Sequence, residues 1–306
     1  MFTVETFTDR AILASGTQEA EIYFFGAILN RFERRLRSGQ KHNVVVAYDD
    51  VAHAKRAITQ GFHSAKLSPF ACRLNQSAYT FAGENHHLAK HVLNGHAIHG
   101  LLYDAEFSLL KFGSDEQSCF VQLSYLYDFE EKGYPFVYRT IVTYRLSEQG
   151  LRIETEVKNV GKTALPLADG WHPYFALNGG VDEWTLRING NQQLAFNQDL
   201  LPTGERIADT RFVEANSLQG IELDNSFVLN DGELACELSD GKLNLQLFAE
   251  QNYPILQVYI PPERNRIAIE NLSGAPDCFN NQIGLQIVQP QETITFTARY
   301  VLQELN

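Results

Sequence analysis

From about residue 105 onward, apolar and polar positions alternate with period two. Val121, Leu123, Tyr125 and Tyr127 interleave with Gln122, Ser124 and Leu126. Ile153, Thr155 and Val157 interleave with Arg152, Glu154, Glu156 and Lys158, and Ile294, Phe296, Ala298 and Tyr300 with Thr293, Thr295, Thr297 and Arg299. Successive side chains of a strand point to opposite faces. Each pattern therefore describes a strand of an antiparallel sheet that is wetted on one side. Nearer the N-terminus, the apolar runs at 22–29 and 44–48 read as short buried strands. Between Asp50 and Gly61 the period changes. Val51, Ala54, Lys55 and Ile58 recur at helical spacing behind an aspartate able to cap the first turn, which predicts a short helix.

Turn residues divide the rest. Asp231-Gly232 and Asp240-Gly241 lie between apolar runs, so 226–229, 233–238 and 242–249 are expected to form a meander joined by tight hairpins. Strand after strand with few short helices implies an all-β chain, folded as a large antiparallel β-sandwich or barrel. No repeat of fixed period and no linker rich in Pro, Gly or Ser interrupts it, so residues 1–306 are expected to form a single domain.

Composition agrees with a globular chain. Its 306 residues are 44% hydrophobic and 20% charged, ample for a core. A net charge of -12 argues against a nucleic-acid or anionic-membrane partner. The one basic run, with Arg31, Arg34, Arg35, Arg37 and Lys41, reads as a solvated strand face, with a phosphate contact as the minor alternative. No basic segment followed by an apolar run opens the chain, and no stretch approaches the ~18 apolar residues of a membrane helix. Cys72, Cys119, Cys236 and Cys278 are far apart and form no C-x-x-C pair, which points to reduced thiols in a cytoplasmic protein.

Three stretches carry candidate chemistry. The first is Asp169-Gly170-Trp171-His172-Pro173-Tyr174-Phe175. Histidine titrates nearest neutrality, and Pro173 biases His172 toward an extended backbone. Trp171, Tyr174 and Phe175 are candidate pocket walls or core packing. The second holds His86, His87, His91, His96 and His99. His87 and His91 would share a helical face as metal ligands could, but Asn94-Gly95 breaks a continuous helix and no His-Glu-x-x-His order is present. Gly100 after His99 would let backbone or ligand approach closely. The third is the strand-like run Ile267–Asn271, which carries Glu270 and then breaks into a loop with Gly274 and Pro276. A carboxylate beside a loop is well placed to face a pocket.

These stretches fall in an order that resembles the aldose 1-epimerase (galactose mutarotase-like) family over nearly the whole chain. The matching segments are Pro69-Phe70-Ala71-Cys72-Arg73-Leu74, Ile98-His99-Gly100 and Trp171-His172-Pro173-Tyr174-Phe175. They are followed by Leu201-Pro202-Thr203-Gly204-Glu205, Leu223-Asp224-Asn225-Ser226-Phe227 and the Glu270 segment closing on Asp277-Cys278-Phe279-Asn280. The resemblance implies a supersandwich with a sugar site on a concave sheet face. It implies Glu270 as general base, His172 as general acid, and Arg73, His99 and Asp224 as sugar-binding groups. The reaction implied is interconversion of the α and β anomers of a free aldose such as galactose or glucose. A neighbouring carboxylate is expected to raise the His172 pKa and keep the imidazole protonated. No cofactor and no metal are expected, because ring opening involves no net redox change. The partner is then a monosaccharide, and the protein a monomer or homodimer. Three alternatives stay open: a hexose-6-phosphate mutarotase, a non-catalytic carbohydrate-binding or sensor protein, and a lyase or glycosidase using Asp224 with Glu270.

Overall fold

The segments of alternating pattern pair edge to edge, as the period requires. In the computed structural model, which describes residues 1–305, Ser118–Asp128, Val137–Ser147, Gly150–Asn159 and Thr293–Glu304 lie side by side in a nine-stranded antiparallel sheet. Leu243–Gln251 and Leu234–Ser239 extend it. Val121, Leu123, Ile153, Val157, Phe296, Ala298 and Tyr300 are buried on its inner face.

A second sheet packs on that face. Its strands run in the spatial order Pro202–Ala208, Gln192–Phe196, Asp224–Val228, Ile255–Tyr259, Ile267–Leu272, Gly170–His172 and Ala65–Leu67. Phe227, Leu256, Val258, Ile267, Ile269 and Trp171 point inward and join the same buried cluster, so the architecture is a large antiparallel β-sandwich. A five-stranded sheet from Thr3–Thr6 to Lys41–Asn43 adjoins it.

The outer face of the second sheet is covered as well. Ala65, Leu67, Leu194, Ile255 and Leu272 form a second apolar cluster with Phe62, Ile98 and the inward side of a short helix, Val51–Ala57. That helix starts where expected: the Asp50 side chain accepts from the His53 amide at 2.6 Å. With both faces covered, all six residues of Ile267–Leu272 are buried, which is why this segment lacks the alternation seen elsewhere.

Three expectations fail locally. The 22–29 run is a hairpin loop, with strands Gln18–Tyr23 and Leu29–Arg35 on either side. Gly26 takes a positive φ there, and a Cβ on it would lie 2.5 Å from the Tyr103 carbonyl, so the run turns beneath a neighbouring loop. In the 44–48 run only Val45–Val46 is strand. The meander is a hairpin: Leu234–Ser239 and Leu243–Gln251 pair, but Asp224–Val228 belongs to the opposite sheet. Across Asp231-Gly232 the chain crosses between sheets, held by Leu229 N to Pro254 O and Asn230 N to Asn189 O. The basic run is a strand face as read, ion-paired through Arg31 to Glu19 at 2.6 Å and Lys41 to Glu19 at 3.2 Å. All four cysteines are free and buried. No helix among the described residues is long and apolar enough to cross a membrane.

Between the two sheets lies one fully buried ion pair. Lys66 Nζ sits 2.5 Å from Asp169 Oδ1, 3.4 Å from Thr155 Oγ1 of the facing sheet and over the Trp171 ring. Tyr253 donates its hydroxyl to the same carboxylate oxygen at 2.7 Å. The Asp169 amide donates to Ser273 Oγ, and the Ser273 amide donates to the Asp169 carbonyl. The pair therefore clamps the strand that carries His172 to its two neighbours. Removing one partner strands a buried charge, which costs about 3–5 kcal/mol, whereas replacing both with apolar groups is often near neutral. Lys66→Met alone is expected to lose stability on that scale in urea unfolding, and Lys66→Met with Asp169→Leu to regain most of it. Equal stability for the single and double variants would refute the clamp.

Candidate active site

Alternation along neighbouring strands decides which side chains face the cavity. Ile267 and Ile269 point into the sandwich, so Glu270 points out. On the strand alongside, Trp171 points in and His172 out. Tyr174, two residues further, shares the side of His172, and their rings lie 5.2 Å apart. Of the three candidate walls, Tyr174 therefore lines the cavity, while Trp171 and Phe175 are core packing.

All five residues singled out from the sequence meet in this one cavity of about 280 Å3, which Arg73, His99, His172, Asp224 and Glu270 line together. His172 Nε2 lies 3.3 Å from Glu270 Oε1, and both residues are buried. The His99 ring meets the His172 ring edge-on at 5.0 Å. His99 is held by its amide, which donates to the Cys72 carbonyl, and by Gly100, where a Cβ would lie 2.3 Å from Ser68 O. The close approach expected at Gly100 is thus that of the Ser68 backbone. The Arg73 carbonyl accepts from the Asp277 amide, and Asp277 Oδ1 accepts from the Asn75 amide, so the loop after Glu270 fixes the arginine segment.

Sequence reasoning missed Gln257. It pairs in register with Glu270 on one side and Ser226 on the other. Its Nε2 donates to Asp224 Oδ1 at 2.7 Å, and its Oε1 accepts from Ser226 Oγ, so it orients the Asp224 carboxylate. The available signal was weak: one polar residue inside the apolar run Ile255–Tyr259.

The electrostatics reverse one expectation. Burial drives the His172 pKa down to about 3, against the rise expected from a carboxylate neighbour. The same burial, with Asp224 as second cause, holds the Glu270 carboxyl well above its usual range. Desolvation is the largest cause of both shifts, because both groups are buried. In the resting pair each group therefore favours its neutral form. His99 is pushed well below its ordinary value by burial, then by the nearby His172 and Arg73. Asp224 stands at the exposed mouth, and burial of its carboxyl raises its pKa against the opposing pull of Arg73 and Gln257.

The other clustered histidines are engaged elsewhere. His91 contacts Asp104 Oδ2 at 3.0 Å and stacks on Tyr103, and His86 stacks on Tyr79. His87 ends the strand Glu84–His87, so the helical His87–His91 spacing does not exist. Among the described residues no group of three or more His, Cys, Asp or Glu is placed to hold a metal ion.

With this geometry in hand, comparison with known proteins is informative. The profile of the aldose 1-epimerase family matches residues 10–301. The uncharacterized protein YihR of Escherichia coli K12 is 30% identical over 238 residues, 73% of each chain. A galactose mutarotase-like protein of Clostridium acetobutylicum superposes with a TM-score of 0.88 at 17% identity, over 100% of this chain and 99% of its own. The galactose 1-epimerase of Lactobacillus acidophilus gives 0.81 at 17% identity, over 100% and 99%. At such identities these structures speak for the fold.

Burial of Glu270 has a measurable consequence. Its folded-state pKa lies well above 4.5, so above that pH the folded chain binds more protons than the unfolded one and stability falls as pH rises. Each pH unit between 4.5 and the folded-state value costs about 1.4 kcal/mol. Glu270→Gln keeps the shape and removes the titration. It is expected to raise the Tm at pH 7–8, with the gain vanishing toward pH 4. An unchanged or lowered Tm at neutral pH would contradict a raised Glu270.

Proposed function

The chain belongs to the aldose 1-epimerase family, and from that premise we propose that it is a mutarotase acting on a free aldose. The observation that carries this reading is the contact of His172 Nε2 with Glu270 Oε1, at 3.3 Å in a cavity lined by polar groups. A cyclic hemiacetal has two oxygens on its anomeric carbon, the hydroxyl O1 and the ring oxygen O5. Adjacent acid and base groups suit two oxygens on one carbon.

Glu270 accepts the O1 proton while His172 donates one to O5. The C1–O5 bond breaks and C1 becomes an aldehyde. Rotation about C1–C2 then presents the other face, and the same groups act in reverse to close the ring. No proton is gained or lost overall, so a pair holding one proton is sufficient. The ionised arrangement that starts the cycle is one proton hop from the neutral pair, along the 3.3 Å contact. Glu270 Oε2 has no protein hydrogen-bond partner, which suits it to accept from a sugar hydroxyl. Arg73, His99 and Asp224 are assigned to the remaining hydroxyls, with Gln257 holding Asp224.

The lining favours an unphosphorylated sugar. Arg73 is the one guanidinium or ammonium group on it, set against Asp224 and Glu270. The arginine run that hinted at a phosphate site belongs to another sheet, where Arg31 is ion-paired to Glu19.

Polarimetry on freshly dissolved α-D-glucose and α-D-galactose tests the reading. Positioned proton transfer contributes roughly 10²–10⁴ per group, so Glu270→Gln and His172→Asn should each lower kcat by about that factor. No acceleration across a broad aldose panel would favour a sugar binder instead, and mutants as fast as wild type would reject the residue assignment. The pH profile is a second check. A pair that works with one proton loses activity on the acid side only when His172 takes a second, near pH 3. The kcat/KM is therefore expected to stay flat through pH 6.5, where an ordinary histidine would show a break. A loss of activity through pH 6–7 on acidification would count against the buried pair.

A further inference from the structure

The cleft does not end at Asp224. A second space of about 470 Å3 opens beyond it, its lining including Glu222, Asp224, Tyr259, Pro261, Pro262 and Arg264. It shares Asp224 and Tyr259 with the cavity that holds His172 and Glu270. These two shared residues are register partners on adjacent strands, so together they form a sill between the two spaces.

The sheet lattice gives the direction. Glu270, Gln257 and Ser226 run straight across three strands, and Asp224 lies two residues along from Ser226. Asp224 is thus about two strand spacings across from Glu270, at ~4.8 Å each, and about two residues along, at ~3.4 Å each. A pyranose that offers its anomeric carbon to His172 and Glu270 turns its opposite edge toward the sill. A monosaccharide fills the smaller space and leaves the larger one open.

We propose that the preferred substrate is a reducing disaccharide, its reducing ring in the acid–base cavity and its second pyranose ring on the shelf formed by Tyr259 and Pro262. This rests on the mutarotase reading: the anomeric hydroxyl must be free, so the second ring must be attached at the far edge. The shelf has the chemistry for a sugar ring. Half-buried Tyr259 and exposed Pro262 offer apolar surface to C–H groups, while Glu222 is an exposed acceptor for hydroxyls and Asp224, whose Oδ1 accepts from Gln257, presents its other oxygen. A phosphate or carboxylate substituent fits poorly beside those two carboxylates. Arg264 also lines this space, but its guanidinium is committed, donating to Asp182 at 2.7 Å and to the Leu218 and Ile221 carbonyls.

The test compares kcat/KM for anomer exchange, by polarimetry or NMR, on lactose, cellobiose, maltose, laminaribiose and melibiose with that on glucose and galactose. At least one disaccharide is expected to exceed its reducing-end monosaccharide by roughly tenfold, since remote binding energy is available to the transition state. Glu222→Trp, which fills the second space, and Pro262→Ala, which strips the shelf, should both lower that ratio. The ratio does not depend on the fraction of protein that is folded. Monosaccharides turned over faster than every disaccharide would overturn the proposal and leave the mutarotase reading standing. A ratio unmoved by Glu222→Trp would do the same. Failure to accelerate any sugar would overturn both.

Discussion

Strand parity is the constraint on which the site depends. Three adjacent strands, Ile255–Tyr259, Ile267–Leu272 and Gly170–His172, are covered on both faces. One face is fixed by the sandwich core, through Leu256, Val258, Ile267, Ile269 and Trp171. The other parity must then face outward, and it carries Gln257, Glu270 and His172. A slip of one residue in any of these strands would send an amide, a carboxyl or an imidazole into the core and a core side chain into the cavity. The Lys66–Asp169 pair adds a polar lock on that register, tying the His172 strand to its neighbours from within the sandwich.

The same coverage sets the electrostatics. Helix Val51–Ala57 and its apolar companions close over the outer face, so the acid–base pair is buried although it lines a cavity. Burial disfavours the charged form of each group, and their nearest atoms lie 3.3 Å apart. A solvated pair would hold its ions apart and lose the proton to bulk water. Here the fold accepts a raised carboxyl, unfavourable for stability above pH 4.5, and an unprotonated histidine, unfavourable below pH 6.5.

Much of this was legible in the sequence, for reasons that differ by residue. The alternating strands after 105 announce themselves because one of their faces is wet, and the helix behind Asp50 because its cap and spacing agree. His172, Glu270, Arg73, His99 and Asp224 were singled out by resemblance, and parity could have sorted Tyr174 from Trp171 without it. The 22–29 and 226–249 stretches misled because a buried loop and a crossover between sheets both look like apolar runs with turns. Gln257 was hidden because a single amide in a buried strand has no pattern of its own. The His172 pKa was misjudged because a neighbouring charge can be read from a motif, whereas desolvation by distant residues such as Phe62 and Ile98 cannot.

Chemistry and selectivity occupy different parts of the sheet. Glu270 lies within its strand, bounded on both sides by paired backbone, and the cavity wall around it is set by the ladder. Asp224 and Tyr259 lie at strand ends, and Leu223, Pro261 and Pro262 lie just beyond them where the chain leaves the sheet. Ladder positions resist change, since altering one shifts its neighbours, whereas loop positions vary at small cost. A scaffold arranged this way can keep one proton-transfer geometry while the outer cleft is reshaped around different sugars. On the mutarotase proposal, proton transfer and the choice of sugar are then separable, the one written in the strand interior and the other in the strand ends.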